Sequence, residues 1–226
     1  MVYQKIDTRP TATAGAASYT PLTLPVYDAW VLGLSNSFAW NCPTKSVQLP
    51  FFKQSVGHRH LDIGCGSGYY PANAAISEKT EVTLMDLSPH SLATAKHRLG
   101  RPSTQTVQAD VTQPLPLSGV YDSISTFFLI HCLPGPLDRK MALFTNLKPH
   151  LAENGTIYGT TVLGKNVKHN VFGNILMYVY NQLGVFSNWE DGEEEIREYL
   201  CKDYERVETR VVGRVIMFSA SKPRFE

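Results

Sequence analysis

The sequence predicts an α/β fold, in which helices cover both faces of a seven-stranded, mostly parallel sheet. Two patterns support this: strand-like and helical runs alternate from about residue 51 onward, and the first strand ends in a glycine-rich turn. The length agrees, because 226 residues suffice for one such domain and are too few for two. A three-layer helix–sheet–helix arrangement is therefore expected.

Seven runs have strand character, being short and either apolar or alternating. They are 58–63, 81–86, 104–109, 121–128, 156–162, 207–212 and 215–220. A turn at Asn154-Gly155 is expected to start the fifth strand, and Gly213 to join the last two in a hairpin. Such a hairpin predicts one antiparallel strand at the edge of the sheet.

Helical runs fall between and after these strands, at 69–76, 88–99, 136–151, 170–183 and 193–200. Ser88 and Pro89 supply an N-cap and a first-turn proline for the second helix. In the third, apolar residues recur every three or four positions along one face, at Leu137, Met141, Phe144, Leu147 and Leu151. The run 170–183 is apolar on nearly every side, which predicts burial under a lid or contact with a second copy.

The N-terminal part differs in character from the rest. Residues 1 to about 20 are small and polar, which predicts a loosely ordered arm, whereas 21–50 are rich in aromatic and aliphatic residues. We therefore expect an arm and helical lid over 1–50 and a core domain over 51–226. The lid aromatics could cover a cofactor and line an apolar substrate pocket.

The strongest chemical signal is the run Leu61 to Gly68, in which glycines stand at 64, 66 and 68. Glycines at this turn let the main chain approach a ligand closely. A dinucleotide fingerprint would need a different spacing, and Asp62 would repel a pyrophosphate. An acid there suits a ligand that carries ammonium and sulfonium charges.

Two further acids end the second and third strands. Asp86 lies 24 residues after Asp62, where its carboxylate could accept bonds from ribose hydroxyls. Asp110 lies a further 24 residues on, where it could accept an adenine amino group while Leu87 and Val111 flank the ring. Acids at three consecutive strand ends predict S-adenosylmethionine as the cofactor.

The run from Phe51 to Glu226 resembles the class I S-adenosylmethionine-dependent methyltransferases. More narrowly, Val31–Asn36, Trp40–Pro43, His131–Gly135 and Val185–Asn188 resemble a group of small microbial methyltransferases that act on small metabolites. The resemblance implies a Rossmann-like sheet of order 3-2-1-4-5-7-6. In one departure, only residues 111–120 join strands three and four, so the usual helix there is short or missing.

The resemblance also implies the cofactor contacts. The methionine end is assigned to the turn, the ribose and adenine to the two later acids, and the amino group to the main chain near the end of strand four. The predicted residues are Asp62, Gly64, Cys65, Gly66, Gly68, Asp86, Leu87, Asp110, Val111, Thr126 and Phe127.

His131 follows the fourth strand, at the position that faces the transferable methyl group. Imidazole titrates near neutral pH, so His131 is the candidate catalytic base, with a buried structural role as the alternative. The predicted substrate pocket adds lid and helix residues: Tyr27, Trp30, Asn36, Trp40, Asn41, His131, Met177 and Tyr178. Cys65 and Cys132 lack a basic partner in the sequence, so neither is expected to act as a nucleophile.

Composition excludes several classes of partner. The net charge of +1 argues against a nucleic-acid substrate, and no apolar run is long enough to span a membrane. Four scattered cysteines predict a cytoplasmic protein without a metal site. The predicted function is methylation of a small, apolar or aromatic metabolite at oxygen, nitrogen or carbon, possibly in secondary metabolism, by a monomer or homodimer. A cyclase or rearrangement catalyst and a non-catalytic binding module are the alternatives.

Overall fold

The computed structural model describes residues 28–225. Tyr27 and the N-terminal arm, for which predictions were made, lie outside these residues. The helices are α1 (Leu49–Ser55), α2 (Tyr69–Asn73), α3 (Pro89–Leu99), α4 (Leu137–Leu147), α5 (Val171–Gln182) and α6 (Glu193–Asp203). The strands are β1 (Arg59–Ile63), β2 (Glu81–Asp86), β3 (Gln105–Gln108), β4 (Tyr121–Phe127), β5 (Leu151–Val162), β6 (Tyr204–Val212) and β7 (Val215–Pro223).

Two π-helical segments, Asp28–Ala39 and Thr44–Gln48, precede α1 and lie within the part of the chain for which a lid was predicted; residues 28–48 are called the N-terminal segment below. α1 follows at once and runs across position 50, where the lid was expected to end. Short 3₁₀ turns at Ile130–Cys132 and Lys148–His150 follow β4 and α4.

The strands form one sheet in the order β3-β2-β1-β4-β5-β7-β6, which confirms the predicted fold and strand order. β1 to β5 pair in parallel, and β7 is antiparallel to both of its neighbours. The expected hairpin at the edge of the sheet is confirmed; within it β7, the strand antiparallel to β5, lies one place inside, and β6 forms the edge. The first four residues of β7 are buried, whereas only the first residue of β6 is buried and the others are exposed or half-buried, so the more apolar strand takes the inner place.

The start of β5 differs from the prediction. No turn interrupts Asn154-Gly155: β5 runs on from Leu151, and a bulge opposite Tyr121 and Ser123 absorbs the additional residues. Leu151 therefore pairs with Tyr121 as part of a strand and does not continue α4. Pro149 explains the change, because a proline disfavours helix both at its own position and at the residue before it.

Capping fixes the helix ends that position the site. The Ser88 hydroxyl accepts a hydrogen bond from the Ser91 amide at the start of α3, as predicted. Asn170 caps α5 in the same way through the Gly173 amide. α2 is shorter than predicted: it ends at Asn73, and Ala75 has a positive φ of 48°.

The connection between β3 and β4, where a short or missing helix was expected, contains no helix in the described structure. Leu115 and Leu117 of this connection pack against the core instead.

α5 packs one side against the N-terminal segment and leaves the other exposed. Leu176 and Met177 are buried, while Ile175 and Tyr178 are 54% and 61% exposed. The helix is therefore not buried on all sides, in contrast to the expectation of burial beneath a lid.

Candidate active site

A cavity of about 360 Å³ lies at the carboxyl ends of β1, β2 and β4. Strand ends form its floor at Gly64, Asp86 and Asp110. The N-terminal segment covers it through Trp30 and Trp40. This is the position at which open parallel sheets bind ligands.

Each of the three positions in the turn is a glycine for a different structural reason. Gly64 has φ +64°, and a Cβ there would lie 2.8 Å from the Leu129 side chain, which lines the cavity. Gly66 has φ +49°, and a Cβ there would meet only a backbone oxygen at 3.9 Å, on the cavity side. At Gly68, a Cβ would lie 2.7 Å from Ala95 of α3. Gly64 and Gly66 therefore shape the cavity, and Gly68 permits close packing of α3.

Asp86 accepts two backbone hydrogen bonds. Its Oδ2 accepts from the Gly66 amide at 3.0 Å and its Oδ1 from the Ser88 amide at 2.9 Å. Burial raises the pKa of its carboxyl, and these bonds oppose that shift. Each oxygen keeps a lone pair for a ligand hydroxyl, and Leu87 lies beside it on the cavity wall.

Asp110 also reaches the cavity. Its Oδ1 accepts from the Thr112 amide at 2.9 Å and hydroxyl at 2.7 Å, and no described group binds Oδ2. Val111 is buried beside it, and both residues line the cavity wall.

Asp62 and Cys65 lie behind the cavity wall. Asp62 as a whole is 4% exposed, and its carboxylate accepts a hydrogen bond from the Ser125 hydroxyl at 2.5 Å. Burial raises its pKa to about 7, the Ser125 bond opposes this, and the charge of Asp86 adds to it. Burial also holds the pKa of the Cys65 thiol well above its ordinary value, which agrees with the expectation that it is not a nucleophile.

The residues after β4 that line the cavity lie two positions further along the sequence than predicted. Thr126 is fully buried, and Phe127 packs among Phe52, Tyr70 and Tyr158, so neither lines the wall. Phe128 has φ +55°, which turns the chain at this point.

The cavity wall is instead continued by Phe128 and Leu129. Among the predicted cofactor residues, six line the wall: Gly64, Gly66, Asp86, Leu87, Asp110 and Val111.

The far end of the cavity is mainly aromatic. Trp30, Trp40 and Phe186 line it together with His131. The His131 ring lies 4.3 Å from that of Phe186 in an edge-to-face arrangement, and the Phe186 ring lies 6.1 Å from that of Trp40. The Trp30 indole N–H donates to the Tyr180 hydroxyl at 3.0 Å.

His131 is 2% exposed, and its Nδ1 lies 2.9 Å from the Thr161 hydroxyl. Burial, and then the charge of Lys140, lowers its pKa to about 3.

Four predicted pocket residues lie outside this wall. Asn36 is buried and donates to the Thr44 hydroxyl, and Asn41 is exposed with φ +51°. Met177 packs in the core, and Tyr178 faces solvent. Residues two positions apart on an α-helix point about 200° away from each other, that is, to nearly opposite sides. This is why Tyr180 lines the cavity and Tyr178 does not.

Sequence reasoning missed several wall residues. Ser35 lines the cavity where Asn36 had been expected, and Val185 and Phe186 form one side. The run that contains Val185 and Phe186 had carried the family resemblance without being assigned a place in the pocket.

A polar cluster joins the N-terminal segment to the glycine turn. Asp28 accepts the Ser67 hydroxyl at 2.7 Å and forms an ion pair with Arg98 of α3 at 2.6 Å. Arg98 also donates to the Ser67 hydroxyl at 2.8 Å. The segment over the cavity is thus tied to the turn beneath it.

Neither a metal cluster nor a membrane helix is found in residues 28–225. No three His, Cys, Asp or Glu side chains of this part converge as metal ligands. None of its helices combines the length and apolarity needed to cross a bilayer.

The fold and the cavity are those of an α/β enzyme with a cofactor site at the strand ends. Residues 61–157 match the family model described as a methyltransferase domain. The chain is 46% identical over 212 residues to the physcion biosynthesis cluster O-methyltransferase of Aspergillus chevalieri, covering 93% of this chain and 96% of that protein.

Solved structures share the fold. The DhpI complex with S-adenosylhomocysteine has a TM-score of 0.66 at 14% identity, covering 94% of this chain and 97% of that one. The O-methyltransferase NcsB1 from neocarzinostatin biosynthesis, in complex with S-adenosylhomocysteine and 1,4-dihydroxy-2-naphthoic acid, has a TM-score of 0.59 at 16% identity. That match covers 89% of this chain and 58% of the other.

The chain belongs to the S-adenosylmethionine-dependent methyltransferases, which confirms the predicted family. It is therefore a methyltransferase, and S-adenosylmethionine is its cofactor.

Proposed function

We propose that this enzyme methylates an oxygen atom of a small, apolar or aromatic metabolite in secondary metabolism. The supporting observation is the aromatic part of the cavity wall, where the rings of Trp30, Trp40 and Phe186 line the same cavity as His131. Such a wall suits a flat apolar compound with a few polar anchors. The O-methyltransferase relative from a biosynthesis cluster supports the acceptor atom and the metabolic role.

The residues at the strand ends fit S-adenosylmethionine. We assign the ribose hydroxyls to Asp86, whose oxygens each retain a lone pair, and the adenine amino group to Asp110 Oδ2. Gly64 and Gly66 leave room for the methionine part at the turn. Asp62 lies behind the wall at this turn with a pKa raised to about 7, and the positive ammonium group of the bound cofactor favours its charged form. When bound, the cofactor supplies an electrophilic methyl group.

The protein contributes alignment and exclusion of water. Methyl transfer is an in-line displacement, so holding the acceptor at the correct distance and direction supplies much of the rate. Trp30, Trp40 and Phe186 cover the acceptor end, and the Asp28–Arg98 ion pair holds the covering segment in place. These contacts keep bulk water away from the reacting atoms.

The decisive experiment incubates the enzyme with methyl-labelled S-adenosylmethionine and a panel of hydroxylated aromatic and enolic compounds. Mass spectrometry should find the label in one product as an O-methyl group. An unlabelled product formed with full turnover would support a cyclisation or rearrangement instead. If calorimetry detects no binding of S-adenosylmethionine, the result would support a non-catalytic binding module instead.

Asp86→Ala provides the matched variant. Loss of the ribose acceptor should weaken cofactor binding by roughly 10–100-fold, as expected for hydrogen bonds to a charged group. Glu153→Ala is the control, because Glu153 is exposed on β5 away from the cavity. Equal affinities of the two variants would contradict the assignment of Asp86.

We also propose a cytoplasmic location, which is supported by the four cysteines, all of them free. For the oligomeric state, we propose a monomer or a homodimer. Exposed apolar side chains on α5, such as Ile175, favour the homodimer. Light scattering of the wild type and of Ile175→Glu decides, since only a dimer formed through α5 would dissociate in the variant.

A further inference from the structure

The hydrogen bonds around His131 determine which ring nitrogen carries the proton. The Val162 amide donates to Nδ1 at 3.3 Å, and a main-chain N–H can only donate. The Thr161 hydroxyl lies 2.9 Å from the same nitrogen. Because this hydroxyl already accepts the His131 amide at 3.1 Å, its own proton is free to point at Nδ1. Nδ1 is therefore an acceptor, and a neutral ring carries its proton on Nε2.

Nε2 is the atom available to a ligand. No described group bonds to it, whereas the ring as a whole lines the cavity. Phe128 and Phe186 pack against the ring in edge-to-face arrangements and fix its plane. The ring thus presents an N–H to the acceptor end, while its basic nitrogen is turned away toward β5.

This arrangement cannot serve a general base. Nε2 already holds a proton, and Nδ1 is occupied by two donors from β5. Burial also opposes a charged ring, since the pKa of His131 falls to about 3. The neighbouring Cys132 offers no substitute, because burial raises the pKa of its thiol to about 12.

A second polar side chain belongs to the cavity wall and has no protein partner among the described residues. The Ser35 hydroxyl is 1% exposed, lines the cavity wall and forms no hydrogen bond in the described structure. Buried hydroxyls normally have a partner, so one left without it on a cavity wall indicates a polar ligand group.

Resting on the proposed function, we propose that the acceptor is an acidic enol or phenol that binds as its oxyanion. His131 donates its Nε2–H to this oxygen, and Ser35 bonds a second polar group of the same compound. A lone pair of the acceptor oxygen forms the O–CH₃ bond, the C–S bond breaks, and its electron pair remains on sulfur. The acceptor has lost its proton to water beforehand, so the enzyme removes none.

The activity test compares two replacements of His131: glutamine, which can donate a hydrogen bond but is not a base, and leucine, which can neither donate nor accept a proton. Gln places an amide N–H near the position of Nε2, so His131→Gln should keep kcat/KM within about tenfold, whereas His131→Leu should lose roughly 10–150-fold. Across acceptors of different acidity, the rising limb of the pH profile should follow the pKa of each acceptor. Equal losses in both variants, with a limb at one pH for every acceptor, would overturn the proposal.

The tautomer can be measured without turnover. The ¹⁵N shifts of histidine-labelled protein, with the His131 signal assigned by its loss in His131→Gln, should place the proton on Nε2 from pH 6 to 8. A proton on Nδ1 would overturn the inference. If no compound is methylated, the proposed function fails; calorimetric titration of an acidic phenol into the Gln and Leu variants then still decides whether His131 binds the oxyanion.

Ser35→Ala tests the second contact. Its hydroxyl has no protein partner, so the variant should melt like the wild type while KM for the acceptor rises several-fold. Ser91→Ala is the matched control, because its hydroxyl is also buried without a partner but lies on α3, outside the cavity wall. An unchanged KM in Ser35→Ala would remove Ser35 from acceptor recognition.

Discussion

The buried ion pair between Lys140 and Asp191 allows a quantitative test of how one cavity wall is held. Lys140 of α4 places Nζ 2.7 and 2.6 Å from the two carboxylate oxygens, and the two side chains are 0% and 2% exposed. The same Nζ donates to the Ser187 carbonyl. Ser187 directly follows Phe186 of the cavity wall.

Lys140→Met keeps most of the aliphatic stem and removes the charge. Asp191 then keeps a buried carboxylate without its cation, and the Ser187 carbonyl loses a donor. Breaking one side of a buried pair costs about 3–5 kcal/mol of unfolding free energy. At roughly 2–4 °C per kcal/mol for a chain of this size, Tm should fall by roughly 6–20 °C.

Urea unfolding, followed by tryptophan fluorescence, and calorimetric melts measure this change. Lys165→Met is the control, because the ion pair of Lys165 with Glu195 is partly exposed, with side chains 42% and 32% exposed, and its loss should lower Tm far less. The double variant Lys140→Met/Asp191→Leu replaces both charges with apolar groups and should recover most of the loss.

Two results would refute this reasoning. A loss below about 1 kcal/mol in the single variant would mean that water reaches the pair, as it does at the surface. A double variant no more stable than the single one would place the cost in packing around the stem of Lys140 instead of in an uncompensated charge.

Three further predictions concern the cofactor turn, the lid and pH. Asp28→Asn should weaken cofactor binding by roughly 2–5-fold in calorimetry, because it removes the charge that pairs with Arg98 beside the turn. Glu78→Gln is the control and should leave binding unchanged, because Glu78 is an exposed carboxylate that pairs with Arg101 outside the cavity wall. Gly68→Ala should lower Tm, because its Cβ would lie 2.7 Å from Ala95. Gly66→Ala should chiefly raise the cofactor Kd, because its Cβ would meet only a backbone oxygen, at 3.9 Å, beside the cavity. A larger loss of Tm in Gly66→Ala and a larger rise of Kd in Gly68→Ala would contradict these separate roles in packing and binding. His131 binds a proton when unfolded, near pH 6.5, but not when folded until about pH 3, so acid favours unfolding. Between about pH 6 and 4, the unfolding free energy of the wild type should therefore fall by about 1.4 kcal/mol per pH unit more than that of His131→Gln, and equal slopes in urea titrations would contradict a neutral buried ring.

The strand order and the acids at the strand ends could be predicted because their signals are local. Ser88-Pro89 marks a helix start by its own chemistry. Asp86 ends β2, and Asp110 follows the end of β3 by two residues, so both acids lie beside strands that the residue pattern already predicts. Parallel strands then bring their carboxyl ends to one edge of the sheet, so residues far apart in sequence meet without further information.

The part of the cavity assigned to the substrate was less predictable, because a shift of one or two positions along the chain decides which side chain lines the wall. Asn36 was predicted and Ser35 lines the cavity; this part of the chain is π-helical, with a periodicity different from the α-helical one. Tyr178 and Tyr180 are equivalent by composition, and only the packing of α5 against the N-terminal segment selects Tyr180.

The end of β4 shows a third limit. A run of apolar residues indicates that a strand continues, but it does not reveal a residue that adopts positive φ. Phe128 does so, against its intrinsic preference, and thereby moves the wall to positions 128 and 129. The tautomer of His131 is likewise set by Val162, a residue 31 positions away in sequence.

The wall formed by Val185 and Phe186 is fixed by main-chain contacts. Both amides donate to the Tyr180 carbonyl, at 2.9 and 3.0 Å, and the next amide, of Ser187, donates to the His131 carbonyl at 2.8 Å. None of these bonds uses a side chain of residue 185 or 186. New side chains at these two positions can therefore reshape the acceptor pocket while the loop keeps its path, so this short segment is where relatives of one fold can diverge in acceptor choice and where a designer would place a first library.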